Sequence, residues 1–202
     1  MSSAGVYHTL KSAAKSQIEI KGSRFLALAY PVLGESEIKE ILQGLQKEYH
    51  DTTHICYAYR AGLGPSKSTK TFDAGEPNFT AGKPILNAIL SEGLTNVLVV
   101  VARWFGGTKL GKGNLAKAYR EAAYKVLSET EKIEKFITRE VEFQFEVDKF
   151  NLVQSILRKF KAEIVEKRFE RECKIRARVP EVKFSLWKEK LVEATSGKIK
   201  FK

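Results

Sequence analysis

The chain has 202 residues, of which 43% are hydrophobic and 29% charged, and its formal net charge is +11. This composition is that of a folded globular protein and excludes a disordered or fibrous chain. Because one domain usually spans about 100–150 residues, the length predicts two modest domains. The positive charge favours polyanionic partners such as RNA.

No stretch approaches the roughly 20 apolar residues that a membrane span requires. The first residues, Met1 to Gly5, also lack the cationic and apolar pattern of a signal peptide. We therefore expect a cytoplasmic protein that does not engage membranes. Cys56 and Cys173 lie far apart in strand-like segments without C-x-x-C spacing, which predicts two buried free thiols.

The first part of the chain predicts a hairpin followed by a helix. Segments 17–21 and 24–32 look extended, and Gly22-Ser23 between them is typical of a turn. Apolar residues then recur at helical spacing over 38–49. Ser36 precedes them and is the expected cap.

The middle of the chain predicts a sheet core with one long loop. Segment 54–60 is a strand, and segment 62–81, rich in Gly, Pro, Ser and Thr, is a long loop of the kind that is usually functional or mobile. Pro84 begins a short buried helix that runs to Leu90. The unbroken apolar run in 96–102 predicts a central strand covered on both faces.

A glycine-rich cationic segment, Arg103 to Asn114, follows this strand. An amphipathic helix comes next, with Asn114 placed to cap it. The resulting order, β-β-α-β-α-β-α, predicts a mixed sheet backed by helices.

The remaining third has a second pattern, β-α-β-β-α-β, which is the ferredoxin-like order. Its predicted elements are 139–147, 151–160, 162–169, 173–179, 182–195 and 198–201. The expected fold is therefore α+β, with domains at 1–134 and 135–202. Their net charges are +4 and +7, so the smaller domain is the more basic.

Part of that charge lies on one predicted strand, where Lys174, Arg176 and Arg178 alternate and so share one sheet face, with Arg171 just before them. Two interpretations stay open, a solvated outer face and a nucleic-acid platform. No aromatic residues interleave these cations as stacking against bases requires.

Three segments together resemble the Impact family. They are His54-Ile55-Cys56-Tyr57-Ala58-Tyr59-Arg60, then Asp73-Ala74-Gly75-Glu76-Pro77 with Thr80-Ala81-Gly82-Lys83-Pro84-Ile85-Leu86, then Arg103 to Gly111 running on to Ala118-Tyr119-Arg120. Their order and spacing make the match specific. The resemblance covers most of residues 15–128, and the second domain looks like the extra module of the small bacterial YigZ-like members.

The resemblance implies both fold and function. It implies a β-α-β first domain like that of a small-subunit ribosomal protein and of domain four of elongation factor G, and a second domain like the ferredoxin-like domains of that factor. Family members are associated with control of translation. The eukaryotic ones restrain the amino-acid-starvation kinase, a role that does not transfer directly to bacterial members, which lack that kinase.

Some residues depart from the family pattern. The family usually has a second acidic residue at Ala74, Ser-Gly at Asn78-Phe79, Tyr at Trp104 and Gly at Asn114. The lost acidic group at Ala74 argues against a metal in this loop. The loop residues that the resemblance marks are His54, Tyr57, Tyr59, Arg60, Asp73, Glu76, Thr80 and Lys83.

The segment from Arg103 onward has the features of an anion site. Its glycines permit positive φ angles and close approach, while the following helix presents unpaired amides and a positive dipole end. A second helix start near Gly82-Lys83 is expected beside it. The predicted nucleic-acid or anion-binding residues are Arg103, Trp104, Phe105, Gly106, Gly107, Lys109, Lys112, Asn114, Lys117 and Arg120.

Several functions remain open at this point. The primary prediction is a non-catalytic, translation-associated regulator that binds RNA or the ribosome, without cofactor or metal. The alternatives are a protein-interaction regulator that uses the same loop, an enzyme on a phosphorylated substrate centred on His54, Asp73 and Glu76, and a purely structural strand-to-helix turn. Glu76 is also a candidate for bonding the loop's own amides. The glycines fit neither the P-loop nor the dinucleotide motif, which argues against ATP or NAD.

Overall fold

A computed structural model describes residues 5–64 and 67–202 of the chain. The chain divides into two compact units. The larger unit is His8–Glu134, and the smaller one contains Lys135–Lys202 together with residues 5–7. The sequence predicted that these first residues belong to the N-terminal domain, and the division into domains at 1–134 and 135–202 stays a prediction. Residues 1–4, at the start of the chain, and residues 65 and 66, in the predicted 62–81 loop, lie outside the described residues.

The larger unit contains a five-stranded sheet and three helices. In chain order, the elements between residues 6 and 136 are β1 (Val6–Leu10), β2 (Ala14–Ile20), β3 (Ser23–Pro31), α1 (Glu35–Glu48), β4 (His54–Ala61), β5 (Ser68–Phe72), α2 (Gly82–Ser91), β6 (Val97–Trp104), α3 (Lys112–Ser128) and β7 (Lys132–Phe136). The spatial order of the sheet is β2-β3-β6-β4-β5, while β1 pairs with β7.

Every pair of neighbouring strands in the five-stranded sheet is antiparallel. The prediction of a mixed sheet was therefore wrong. β3 and β4 flank β6, and each runs antiparallel to it. They are parallel to each other without being neighbours, because β6 is inserted between them.

β6 is the central strand, and the prediction that both its faces are covered is confirmed. Val97, Val99 and Val101 pack with residues of α2 and α3. Leu98 and Val100 face the opposite side, in a cluster with residues of α1. The alternation places any further odd-numbered residue of β6 on the α2/α3 face.

Three strands were not predicted. β1 and β7 lie in the chain start and in a charged stretch, and β5 lies inside the predicted 62–81 loop. β5 reads Ser-Thr-Lys-Thr-Phe and is an edge strand with four of its five residues exposed. A strand exposed on both faces has no apolar alternation to reveal it.

The predicted side-chain caps were also wrong. α1 begins after Gly34 and α3 after Gly111, and neither helix has a side-chain cap. Ser36 and Asn114 lie inside their helices, and the Asn114 amide instead donates to the Leu110 carbonyl at 3.1 Å. α3 thus begins three residues earlier than the sequence indicated.

The smaller unit has the predicted ferredoxin-like arrangement, which confirms the α+β class. Its elements are β8 (Thr138–Glu146), α4 (Phe150–Lys159), β9 (Glu163–Phe169), β10 (Glu172–Pro180), α5 (Phe184–Ala194) and β11 (Lys200–Phe201). The antiparallel sheet has the order β11-β8-β10-β9. Trp187, Phe143 and Leu191 are among its buried core residues.

The basic face of β10 is largely neutralised by carboxylates of the neighbouring strands and of the β9–β10 turn. Arg176 contacts Glu140 and Glu166 at 3.5 and 2.8 Å, and Arg178 contacts Glu140 at 3.6 Å. Lys174 pairs with Glu170. This pairing favours the solvated outer face over the nucleic-acid platform. Separately, no helix in the described ranges is long and apolar enough to cross a membrane.

Candidate functional site

The residues that carry the family resemblance meet in a buried polar network on the α2/α3 face of the sheet. Its centre is Glu76, whose side chain is only 4% exposed. Glu76 Oε1 accepts from Arg103 Nη1 at 2.5 Å and from the Tyr119 hydroxyl at 2.7 Å. The network therefore joins the loop after β5 to the end of β6 and to the middle of α3.

Arg103 is not available to contact phosphate, which corrects the sequence prediction. Its side chain is 6% exposed and its charge is paired with Glu76. The Arg103 guanidinium also lies 5.4 Å from the Phe25 ring and 5.5 Å from the Phe105 ring. A signal for this burial was present, since Arg103 continues the odd-numbered face of β6 that packs on α2 and α3.

Asp73 holds the loop closed and caps α2. Its Oδ1 accepts the amides of Ala81 and Gly82 at 3.0 and 2.8 Å, and its Oδ2 accepts that of Phe79 at 2.9 Å. The helix start predicted near Gly82-Lys83 therefore already has its amides paired with the chain's own carboxylate. Asp73, and not Glu76 as the sequence suggested, binds the loop amides.

His54 and Cys56 of β4 face the same network. His54 Nδ1 donates to the Ala74 carbonyl at 2.8 Å, and its Nε2 lies 3.9 Å from Glu76 Oε2. The Cys56 thiol donates to the Asp73 carbonyl at 3.1 Å. Burial, with the nearby carboxylates of Glu76 and Asp73, raises the pKa of Cys56 to about 12. The thiol is therefore protonated at neutral pH, and both cysteines are buried and free, as predicted.

The other marked residues of the first two segments have structural roles or lie apart. The Tyr59 hydroxyl donates to Glu35, on the α1 side of the sheet, where the Tyr57 side chain also lies. Arg60 donates to the Leu94 carbonyl at 3.0 Å, and the Thr80 hydroxyl donates to the Pro77 carbonyl at 2.6 Å. Lys83 is exposed.

Of the two aromatic residues after Arg103, Trp104 is bonded within the protein and Phe105 is exposed to solvent. The Trp104 indole donates to Asp51 at 3.0 Å, and the Arg24 guanidinium covers its ring at 3.7 Å. Phe105 is 45% exposed. Of the two predicted stacking residues, Phe105 is thus the one that presents a ring to solvent.

The two adjacent glycines have different roles. Gly106 donates to the Ser23 hydroxyl, and a Cβ there would stand 2.0 Å from a Gly22 backbone atom. Gly106 is therefore required by close packing against the β2–β3 turn. Gly107 has φ +84° and open space around it, so it serves only the turn itself.

The start of α3, residues 109–114, is open and cationic. Within the described part of the chain, the amides of Lys112, Gly113 and Asn114 have no hydrogen-bond acceptor. The exposed side chains of Lys109, Lys112, Lys117 and Arg120 form no ion pair with any described carboxylate. This contrasts with the paired cations of β10. Lys109 and Lys112 lie at the start of α3, and Lys117 and Arg120 lie further along the same helix.

A cavity of about 330 Å³ lies beside the α3 start, and we call it the α3 cavity. Glu76 and Arg103 are its buried polar lining, and its exposed cationic lining is Lys109 and Lys112. The remaining lining residues are Pro77, Phe105, Leu110, Gly111 and Leu115. The cavity combines an apolar wall with cations, as sites for small anionic groups do.

The enzyme alternative was centred on three residues that the structure brings into one network. Asp73 and Glu76 already accept hydrogen bonds from the protein, however, and only Glu76 Oε2 has none from the residues described. Among those residues, no three His, Cys, Asp or Glu side chains converge to hold a metal ion. The geometry is that of a structural anchor.

Comparison with known proteins gives this arrangement a family. The Impact N-terminal domain family matches residues 21–127, which is more than half of the chain. The chain belongs to the Impact family. The YvyE family member of Bacillus subtilis is 30% identical over 192 residues, covering 95% of this chain and 88% of that protein.

Other relatives cover nearly the whole chain as well. The Impact family member YigZ of Escherichia coli is 29% identical over 182 residues, covering 90% of this chain and 89% of that protein. The solved structure of a hypothetical protein has a TM-score of 0.75 and 26% identity, covering 98% of this chain and 97% of the other. The two-unit architecture is thus shared along the full length.

One departure from the Impact pattern carries backbone strain. Phe79, where the family usually has glycine, has φ +65° and is 70% exposed. Left-handed backbone costs a non-glycine residue about 1 kcal/mol or more. Phe79 is held there by the Asp73 carboxylate, which accepts its amide.

Phe79→Gly is expected to raise the free energy of unfolding by about 0.5–1 kcal/mol, because it relieves this strain without emptying a core site. Chemical denaturation measures the change. The matched control is Phe72→Gly, an exposed aromatic on β5 without positive φ, which is expected to lower stability. A loss of stability in Phe79→Gly equal to that of the control contradicts the prediction.

Tyr119 is the member of the network whose role the sequence missed. Its helical spacing predicted a place in the apolar stripe of α3, and it is indeed fully buried. Burial, together with Cys56 and Glu76, raises the pKa of its hydroxyl, so it stays a neutral donor to Glu76. A tyrosine in an otherwise alanine-rich stripe is a signal that a buried acceptor faces it.

Proposed function

We propose that this Impact-family chain is a translation-associated regulator that binds RNA or the ribosome through the α3 start. The contacting residues are Lys109, Lys112, Lys117 and Arg120, with Phe105 beside them. Arg103 supports this surface from within through Glu76 and does not itself contact the phosphates.

The observation that carries the proposal is the set of free donors at one helix end. Three helix amides and the exposed cations Lys109 and Lys112 have no described partner there, and Lys117 and Arg120 add two exposed, unpaired cations further along α3. Such a helix start binds phosphate through its amides and dipole, and the cations attract the polyanion.

Family membership gives the direction toward translation. Impact proteins are associated with control of translation, and a yeast Impact homolog is 32% identical to this chain over 100 residues. The positive net charge agrees with a ribosomal or RNA partner.

Binding of the full chain to an unstructured single-stranded RNA tests the proposal by fluorescence anisotropy across a salt series. Lys109→Glu with Lys112→Glu is expected to weaken binding at least tenfold. It should also flatten the slope of log K against log salt by about 1–2.

The matched control is Lys39→Glu with Lys47→Glu. Both lysines are exposed on α1, on the other face of the same sheet, so the control makes the same change in net charge. An equal loss in both variants means that net charge alone attracts RNA, and it overturns the proposal. A protein retained from nuclease-treated lysate and lost in Lys109→Glu with Lys112→Glu, without RNA affinity, supports the protein-interaction alternative instead.

A further inference from the structure

Two side chains that line the α3 cavity each have a polar atom without a hydrogen-bond partner among the described residues. Glu76 Oε1 takes both hydrogen bonds of that carboxylate, and Oε2 has no described donor within hydrogen-bond distance. Arg103 Nε is buried and also has no acceptor among the described residues. Buried polar atoms in native proteins are almost always paired, so Arg103 Nε indicates a missing acceptor, while Glu76 Oε2 is free to accept from a ligand.

His54 does not supply the partner that Glu76 Oε2 lacks. Its Nδ1 donates to the Ala74 carbonyl. Its Nε2 lies 3.9 Å from Oε2, which is beyond hydrogen-bond distance. A ligand that carries an N–H or O–H group satisfies Oε2 where the protein does not.

The rest of the lining specifies the other parts of such a ligand. Phe105, Leu110 and Leu115 offer a ring face and an apolar wall for a flat group. Lys109 and Lys112 lie on the same cavity, at the end of α3 whose amides are free, and they suit a phosphate. The cavity volume of about 330 Å³ lies within the range of small-molecule sites, about 300–1,000 Å³.

We propose that the α3 cavity takes one nucleotide of an unstacked single strand. The base lies against Phe105 and donates to Glu76 Oε2, and its phosphate is held at the α3 start by Lys109 and Lys112. This inference rests on the proposed RNA-binding function and names the unit that the surface recognises. Because a duplex keeps its bases stacked and paired, the site selects single strands over duplexes.

Binding of small probes to the full chain tests the cavity without a polymer. Adenosine 5′-monophosphate, uridine 5′-monophosphate, ribose 5-phosphate and inorganic phosphate are titrated by isothermal calorimetry. At least one mononucleotide is expected to bind about tenfold or more tightly than ribose 5-phosphate, because the base adds stacking. Phe105→Ala is expected to remove that difference.

Phe72→Ala is the matched control, since Phe72 is 48% exposed and does not line the cavity. It is expected to leave mononucleotide binding unchanged. In parallel, a single-stranded RNA should bind about tenfold more tightly than a duplex of the same length, and Phe105→Ala should reduce that preference.

The outcomes separate this inference from the proposed function. If ribose 5-phosphate binds as well as every mononucleotide and duplex binds as well as single strand, the cavity takes no base and the inference is overturned. RNA binding that still depends on Lys109 and Lys112 then leaves the proposed function standing. If neither RNA nor any mononucleotide binds, both are overturned.

Discussion

Glu76→Ala is expected to lower the free energy of unfolding by about 3–5 kcal/mol, the cost typical of breaking a buried ion pair from one side. Without the carboxylate, Arg103 keeps its charge in a site where its side chain is 6% exposed. The buried Tyr119 hydroxyl also loses its acceptor at 2.7 Å. Urea denaturation followed by circular dichroism measures the loss.

Two comparisons make this first prediction specific. Glu76→Ala combined with Arg103→Met is expected to be more stable than Glu76→Ala alone, because the second change removes the stranded charge. Glu131→Ala breaks an exposed pair with Lys11 in the same unit and is expected to change stability little. A Glu76→Ala loss as small as that of Glu131→Ala means that the network does not stabilise the fold.

The network explains why a sequence motif that suggests binding contains so many anchoring residues. Hydrogen bonds of Asp73, Glu76 and Arg103 hold the long loop between β5 and α2 against the sheet and α3. Loops carry binding groups only when a rigid scaffold positions them. The charged residues of the network therefore hold the α3 cavity in shape, while Lys109 and Lys112 remain free.

The strongly periodic elements of the fold were predictable from the sequence. The valine run of β6 and the β-α-β-β-α-β order of the smaller unit both appear as expected. β5 was not predictable, because an exposed edge strand needs no apolar face. The antiparallel sheet was missed because strand order depends on β6 inserting between β3 and β4, which no local pattern encodes.

The site was only partly predictable for a related reason. The open helix start follows from local features, namely glycines and lysines before an amphipathic segment. The pairing of Glu76 with Arg103 joins residues 27 positions apart in sequence. The sequence predicted that Arg103 contacts phosphate, because a cation beside glycines is typical of a phosphate site. Only the strand alternation of β6 indicated that Arg103 is buried.

Asp73→Ala is the second change with a large expected effect, a loss of about 2–4 kcal/mol in the free energy of unfolding. The Asp73 carboxylate accepts three backbone amides at 2.8–3.0 Å and caps α2. Alanine leaves those amides without acceptors, and caps and charge-assisted hydrogen bonds are each worth about 1–3 kcal/mol. Hydrogen exchange at Ala81 and Gly82 is expected to accelerate with the same substitution.

Asp73→Asn separates the cap from the rest of the side chain. Oδ1 alone accepts from Ala81 and Gly82, so an asparagine whose amide oxygen takes that position keeps both bonds and loses only the one to Phe79. Its stability should therefore fall between wild type and Asp73→Ala. An Asp73→Asn variant as unstable as Asp73→Ala contradicts this prediction. It would mean that the negative charge of Asp73, and not the position of its two oxygens, stabilises the loop. The intermediate value is expected, because neutral acceptors satisfy helix-start amides almost as well as charged ones.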